Sequence, residues 1–84
     1  MTLNELRYIV AVARERHFGR AAEGCFVSQP TLSVAVKKLE DELGVTLFER
    51  TKRSVETTPL GKAIVGQARI VLEQAEALCA DWAA

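Results

Sequence analysis

Between Ser28 and Gly44 the chain spells out an amphipathic helix with both ends marked. Ser28 stands where a hydroxyl can accept one of the first helical N–H groups, and Pro30 falls where its missing N–H would have had no helical partner. Leu32, Val36, Leu39 and Leu43 then recur at steps of four, three and four, which gathers them on one face. Gly44 is a natural C-terminal stop. Such a helix needs neighbours on its apolar side. Its other side, with Thr31, Ser33, Val34, Lys37 and Lys38, is left to solvent or to a partner.

The flanking sequence supplies the neighbours. Thr2 with Glu5 forms a capping box, and Leu3, Leu6, Ile9, Val10 and Ala13 follow at helical spacing, which predicts a first helix from about Leu3 to Arg16. His17 to Gly19 interrupts the pattern, with His17 read as a cap on the carbonyls of the preceding helix. Arg20 to Phe26 resumes it as a short second helix, in which Ala21, Ala22 and Cys25 are small enough to let another helix approach closely. After Gly44, Val45–Arg50 and Val55–Thr58 are rich in β-branched and apolar residues and enclose the polar, basic turn Thr51–Ser54, so a small β-hairpin is expected. Thr58 and Pro59 repeat the cap-and-proline start and open a helix running to about Trp82, roughly 36 Å long at 1.5 Å per residue.

That last helix is longer than so small a domain requires. Ile64, Ala68, Val71, Ala75, Leu78 and Trp82 follow the four-three spacing of a two-helix seam, and Val65, Leu72 and Cys79 repeat every seven. Two apolar stripes need two neighbours. The seam from Ile64 to Trp82 is assigned to dimerisation with a twin subunit and the other stripe to the chain's own domain; the competing reading packs both against further parts of a longer chain.

With 84 residues, one small domain is expected, and it buries only about 60–65% of the surface its unfolded chain exposes. A hydrophobic fraction of 49% and a charged fraction of 26% are ordinary for a globular chain and argue against disorder. The formal net charge is zero, where a nucleic-acid domain usually shows a basic excess. Distribution matters more than the sum. Arg50, Lys52 and Arg53 cluster within four positions, whereas from Gln67 onward the acids Glu73, Glu76 and Asp81 meet only Arg69.

Cys25 and Cys79 lie far apart with His17 as the one other soft ligand, too few donors for a zinc site. Both cysteines read as packing residues, no metal or cofactor is expected, and no catalytic constellation stands out; the chain is not read as an enzyme. There is neither a signal peptide nor an apolar run approaching the roughly 18 residues of a membrane span, so a cytoplasmic location without membrane contact is expected.

The outward face of the third helix suits double-stranded DNA. Gln29, in the first turn, can pair in bidentate fashion with adenine N6 and N7; Thr31 and Ser33 can reach a base edge or phosphate; Val34 can touch a thymine methyl; Lys37 and Lys38 suit phosphate. A wing carrying Arg53 into a narrow minor groove completes the picture. On residues alone, a solvated helix face with a capping serine and a charged hairpin tip stand as the alternatives.

The phrases Ala21-Ala22, Val27-Ser28-Gln29-Pro30-Thr31-Leu32-Ser33, Lys38-Leu39-Glu40, Leu43-Gly44, Leu47-Phe48-Glu49-Arg50 and Thr58-Pro59-Leu60-Gly61 resemble the amino-terminal domain of LysR-type transcriptional regulators. The resemblance covers nearly the whole chain. His17-Phe18, Arg20-Ala21-Ala22, Cys25 and the SQPTLS and KLEDELGV phrases are most similar to the OxyR-type, peroxide-sensing branch. It implies a mainly α fold: a winged helix-turn-helix over 1–58 with a small β-hairpin wing, followed by a linker, or dimerisation, helix over 59–84 that pairs antiparallel with its twin. Ser28, Gln29, Pro30, Thr31, Ser33 and Val34 match the family's recognition region and Arg50 to Arg53 its wing; Val34 replaces the larger polar or basic residue common there.

The resemblance further implies a fragment of a longer regulator whose regulatory domain is absent. The parent would be a tetramer that engages RNA polymerase and activates genes of the oxidative stress response. Two other classes compete with this reading: a helical dimerisation module without sequence-specific DNA binding, and a small redox enzyme using the cysteines.

Overall fold

A computed structural model describes residues 1–82. Its order is α1 (Leu3–Glu15), α2 (Phe18–Gly24), α3 (Gln29–Leu43), β1 (Phe48–Arg50), β2 (Val55–Thr57) and α4 (Pro59–Trp82). The expected mainly α architecture, with one hairpin and a long last helix, is what the chain adopts.

The helix ends form where the sequence marks them. In α1 the Thr2 hydroxyl accepts from the Glu5 amide at 3.1 Å while the Glu5 carboxylate accepts from the Thr2 amide at 2.7 Å, a closed capping box. Ser28 caps α3 and Gly44 ends it in the left-handed region at φ 70°. Thr58 performs two tasks at once. Its hydroxyl accepts from the Gly61 amide at 2.9 Å, capping α4, and donates to the Thr46 carbonyl at 2.7 Å, fixing α4 to the approach of β1.

One expectation needs correction. The break between the first two helices falls at Arg16 and His17 and not across His17 to Gly19: α2 starts at Phe18, and His17 is its N-cap, accepting the Arg20 amide on Nδ1 at 3.0 Å. The imidazole therefore serves the helix that follows, not the carbonyls of the one before. Phe18 is buried, which is what draws the start of α2 forward.

The core is a single cluster. Ile9 and Val12 of α1, Leu32 and Leu39 of α3, and Leu47 before β1 are fully buried, with Ala21 and Ala22 permitting close approach of α2. α4 adds Val65 and Ala68 from below. The hairpin pairs antiparallel, Phe48 with Thr57 and Arg50 with Val55, and buries only Phe48 and Val55.

Two polar links dock the hairpin to the helices. The Glu40 carboxylate accepts from the Leu47 amide at 2.7 Å and the Phe48 amide at 3.4 Å, so the end of α3 holds the root of the wing. Taken from sequence, Glu40 belongs with Asp41 and Glu42; in the fold it is half-buried and committed to backbone, unlike its two exposed neighbours. On the other side Arg16, itself left-handed at φ 54°, pairs with Glu56 of β2, and its carbonyl accepts from the Val55 amide at 3.3 Å.

Candidate nucleic-acid interface

α2 and α3 meet through a tight turn. The Phe26 amide donates to the Glu23 carbonyl and the Val27 amide to Ala22, each at 3.1 Å, closing α2 and turning the chain into Ser28. The turn needs a left-handed residue, and Phe26 occupies it at φ 59° with its ring 95% exposed. Val27 then half-buries against the core, setting the angle at which α3 leaves.

That angle turns the polar face of α3 outward. Gln29, Pro30, Thr31, Val34, Lys37 and Lys38 are all exposed and Ser33 is half-buried. Val34 is 69% exposed, an apolar side chain in open water that nothing among the described residues covers. Ser28 is already occupied: its oxygen accepts the Thr31 amide at 3.2 Å and its proton goes to the Thr31 hydroxyl oxygen at 2.8 Å. Thr31 therefore keeps its own hydroxyl proton for a partner. Lys37 rests on Asp41 one turn on, at 3.1 Å, an exposed pair that water screens and a stronger anion can displace.

The wing cations do not form one undifferentiated tip. Arg50 lies with its guanidinium carbon 3.9 Å from the centroid of the Phe18 ring, which in turn meets Phe48 edge-on at 6.3 Å. Arg50 is thus oriented by an aromatic face, while Lys52 and Arg53 stand exposed in the turn. The Thr51 hydroxyl accepts from the Ser54 amide at 3.1 Å and donates to the Ser54 carbonyl at 2.9 Å, which holds that turn closed.

Between wing, α2 and the first turn of α3 lies an open cleft of about 310 Å³, lined among others by Arg16, His17, Gln29, Arg50, Lys52 and Arg53. Four of the lining residues are Arg or Lys and none is an acid. The zero net charge is reconciled here. Glu5 is buried in its cap, Glu15 pairs with Arg14, Glu40 binds backbone, Asp41 meets Lys37, Glu42 meets the amino terminus and Glu56 meets Arg16. Hydrogen bonds from Ser54 and then Arg16 hold the Glu56 carboxyl below the usual carboxylate range.

Arg16 and His17 escape a reading from sequence because histidine is not a customary N-cap and the cleft forms only when the wing folds back. Gly19 offered a signal. A Cβ there would stand 2.9 Å from the His17 ring, so a glycine inside a helix marks where that ring lies down.

Neither cysteine lines this cleft. Cys25 is half-buried, and burial pushes its thiol up from its ordinary value, away from the reactive thiolate. Cys79, read from sequence as a packing residue, is exposed on α4.

Along α4 the two stripes are shared differently from the sequence assignment. Val65 and Ala68 are buried within the chain, and Ile64, Leu72 and Ala75 are half-buried. Ala68 thus belongs to the domain's own core. Val71 at 45%, Leu78 at 61% and Trp82 at 82% remain exposed, joined by Leu60 and Ile70. No helix of the described residues is long and apolar enough to cross a membrane.

Comparison with known proteins gives a concordant result. The model of bacterial regulatory helix-turn-helix proteins of the lysR family matches residues 3–62. The DNA-binding transcriptional dual regulator OxyR of Escherichia coli (strain K12) is 55% identical over 78 residues, 93% of this chain and 26% of that protein. Among solved structures, a full-length OxyR variant from Pseudomonas aeruginosa superposes with a TM-score of 0.89 at 69% identity, covering 93% of this chain and 26% of the other. The BenM DNA-binding domain in complex with benA site 1 DNA superposes with a TM-score of 0.90 at 40% identity, covering 95% and 90%. The chain spans about a quarter of the length of OxyR and of the hydrogen peroxide-inducible genes activators it matches.

Proposed function

Because the chain belongs to the lysR family of bacterial regulatory helix-turn-helix proteins, we propose that it is the sequence-specific, double-stranded DNA-binding unit of an OxyR-like transcription regulator governing hydrogen peroxide response genes. The carrying observation is the continuity of two surfaces: the exposed Gln29–Lys38 face of α3 and the acid-free cationic cleft leading to Lys52 and Arg53. The first has hydrogen-bonding groups and one methyl-bearing side chain, the kinds of group that read base edges. The second has the charge for backbone phosphate.

In this reading α3 lies in the major groove, with Gln29, Pro30, Thr31, Ser33 and Val34 facing bases, Ser28 shaping the first turn, and Lys37 and Lys38 on phosphate. The wing residues Arg50, Lys52 and Arg53 follow the flanking backbone and minor groove. Residues 1–58 form the reader and 59–82 the linker helix, the last two positions of the expected 59–84 span lying outside the described residues. Two copies associate through the exposed side of α4, Val71, Leu78 and Trp82 meeting their counterparts with Ile64 and Ala75 at the margin, which leaves Ala68 as the floor of that seam. The parent protein works in the cytoplasm as a tetramer and engages RNA polymerase.

Selection of binding sites from random duplex DNA, followed by titration against salt, tests the reading. The expected result is a two-fold symmetric site and a log–log salt slope of about −0.9 for each phosphate engaged. Replacing Gln29 by alanine should weaken binding by about 1–3 kcal/mol and blur preference at one base pair. A chain that gathers no common site, or whose binding is indifferent to salt, is instead a helical association module. Leu78→Asp should convert the dimer to monomer in sedimentation, and an intact dimer would refute the seam.

A further inference from the structure

The cationic cleft contains one side chain whose role the DNA reading above does not set. His17 spends its Nδ1 lone pair on the Arg20 amide at 3.0 Å, so in the capped ring the proton sits on Nε2. The ring cannot tip back over α2 without meeting it, because it already lies against Gly19, where even a Cβ would come within 2.9 Å of Cε1. The Gln29 side-chain oxygen reaches the same glycine, at 3.4 Å from that Cβ position. His17 is exposed and lines the cleft with Arg16, Arg50, Lys52 and Arg53. Of these cations, Arg16 is paired with Glu56 and Arg50 is held over Phe18, so neither is free to wander.

We propose that this cleft seats one backbone phosphate of the bound DNA, and that His17 is a neutral donor to it through Nε2–H, its tautomer and ring orientation fixed by the Arg20 amide and Gly19. The assignment rests on the DNA-binding reading and adds to it a specific anchor that carries no base information. A preoriented donor with a fixed tautomer contributes to registering α3 on the duplex without the side-chain ordering cost that Lys52 incurs. Gln29, sharing the wall of the cleft, is then aligned for bases by the same phosphate that His17 holds.

His17→Asn separates the two roles of the residue. Asparagine is a strong N-cap and retains an acceptor for the Arg20 amide, yet it lacks the reach of Nε2. The full chain carrying His17→Asn should keep its melting temperature and lose about tenfold to a hundredfold in affinity, equally on the selected site and on unrelated duplex, as expected for one hydrogen bond from a neutral donor to a charged phosphate. Its salt slope should match wild type, because no charge is removed, whereas Arg53→Gln should lower the slope by about one. Duplexes bearing a single uncharged methylphosphonate locate the anchor: at one position, and only there, the penalty seen with wild type should shrink in His17→Asn by the share that His17 contributes, the cleft cations keeping the rest.

An His17→Asn chain that binds as tightly as wild type overturns the assignment, as does a loss confined to one base pair or methylphosphonate penalties that stay additive at every position. Inorganic phosphate in the millimolar range should leave operator affinity no lower than matched ionic strength does, since the cleft is completed by the duplex; specific competition would mark it as a free-phosphate site and overturn the DNA assignment. A wild-type chain that binds no duplex defeats the wider reading, a result distinguishable from all of these.

Discussion

Two glycines of α4 should respond in opposite directions to the same substitution. A Cβ on Gly61 would lie 2.3 Å from the Leu47 carbonyl oxygen, 2.9 Å from the Thr58 hydroxyl and 3.1 Å from the Leu47 carbonyl carbon; a Cβ on Gly66 meets nothing within 4 Å. Leu47 cannot retreat. It is fully buried, its amide is held by Glu40, and its carbonyl accepts the Thr58 amide at 2.9 Å. Relief therefore requires α4 to lift by about an ångström, straining the Thr58 cap with it. Overpacking of this kind costs about 1–3 kcal/mol and a weakened cap about 1 kcal/mol, against a helix-propensity gain of roughly 1 kcal/mol. Gly61→Ala should thus destabilise by about 1–3 kcal/mol, while Gly66→Ala should stabilise by about 0.8–1 kcal/mol from propensity alone. Urea unfolding followed by helical circular dichroism measures both, at one protein concentration because association contributes to apparent stability. If the two variants shift the midpoint the same way, the close packing of α4 on the root of β1 is wrong.

Further outcomes follow from the turn and the wing. Phe26 holds a left-handed conformation that costs a non-glycine residue about 1–2 kcal/mol, and with its ring 95% exposed it gains little packing in return. Phe26→Gly should therefore raise stability by about 0.5–1 kcal/mol after the extra chain entropy of glycine is deducted, and a fall in the unfolding midpoint would contradict this. Glu56 has its folded-state pKa lowered, by Ser54 first and Arg16 second, so its contribution is complete above the ordinary glutamate range and is lost as pH falls through the depressed value. The difference in wing protection between wild type and Glu56→Gln, read by amide hydrogen exchange at Val55, should shrink toward zero in acid and reappear at neutrality. A difference that grows in acid would reverse the sign of the linkage.

How much the sequence discloses depends on whether a feature is local. α1, α3 and α4 were legible to within a residue because Thr2, Ser28, Gly44, Thr58 and Pro59 act on backbone groups one turn away. α2 was misplaced at its start because its cap is an imidazole, a group that reads equally well as a C-terminal partner. Nothing in the sequence signals what Glu40 binds, because the amides of Leu47 and Phe48 become its neighbours only after the chain reverses at Gly44. The heptad repeat of α4 showed that two faces were apolar without showing which one α1 would cover, and Ala68 went to the domain. The exposed side of α3 was readable residue by residue; the cleft was not, since Arg16, His17 and Arg53 come from separate segments that only the fold brings together.

The Glu40 clasp on Leu47 and Phe48, opposed by the Arg16–Glu56 pair, makes α3 and the hairpin behave as the two jaws of one caliper whose gap is set before any duplex arrives. A caliper that does not flex passes the work of fitting to the object being measured. With α3 in the major groove and the hairpin in the flanking minor groove, as proposed above, a duplex whose grooves already fall at that spacing would accept it without bending, and a stiffer or differently spaced one would have to deform at a cost of order 1–6 kcal/mol. Base pairs that no side chain touches can then be discriminated by their elasticity alone.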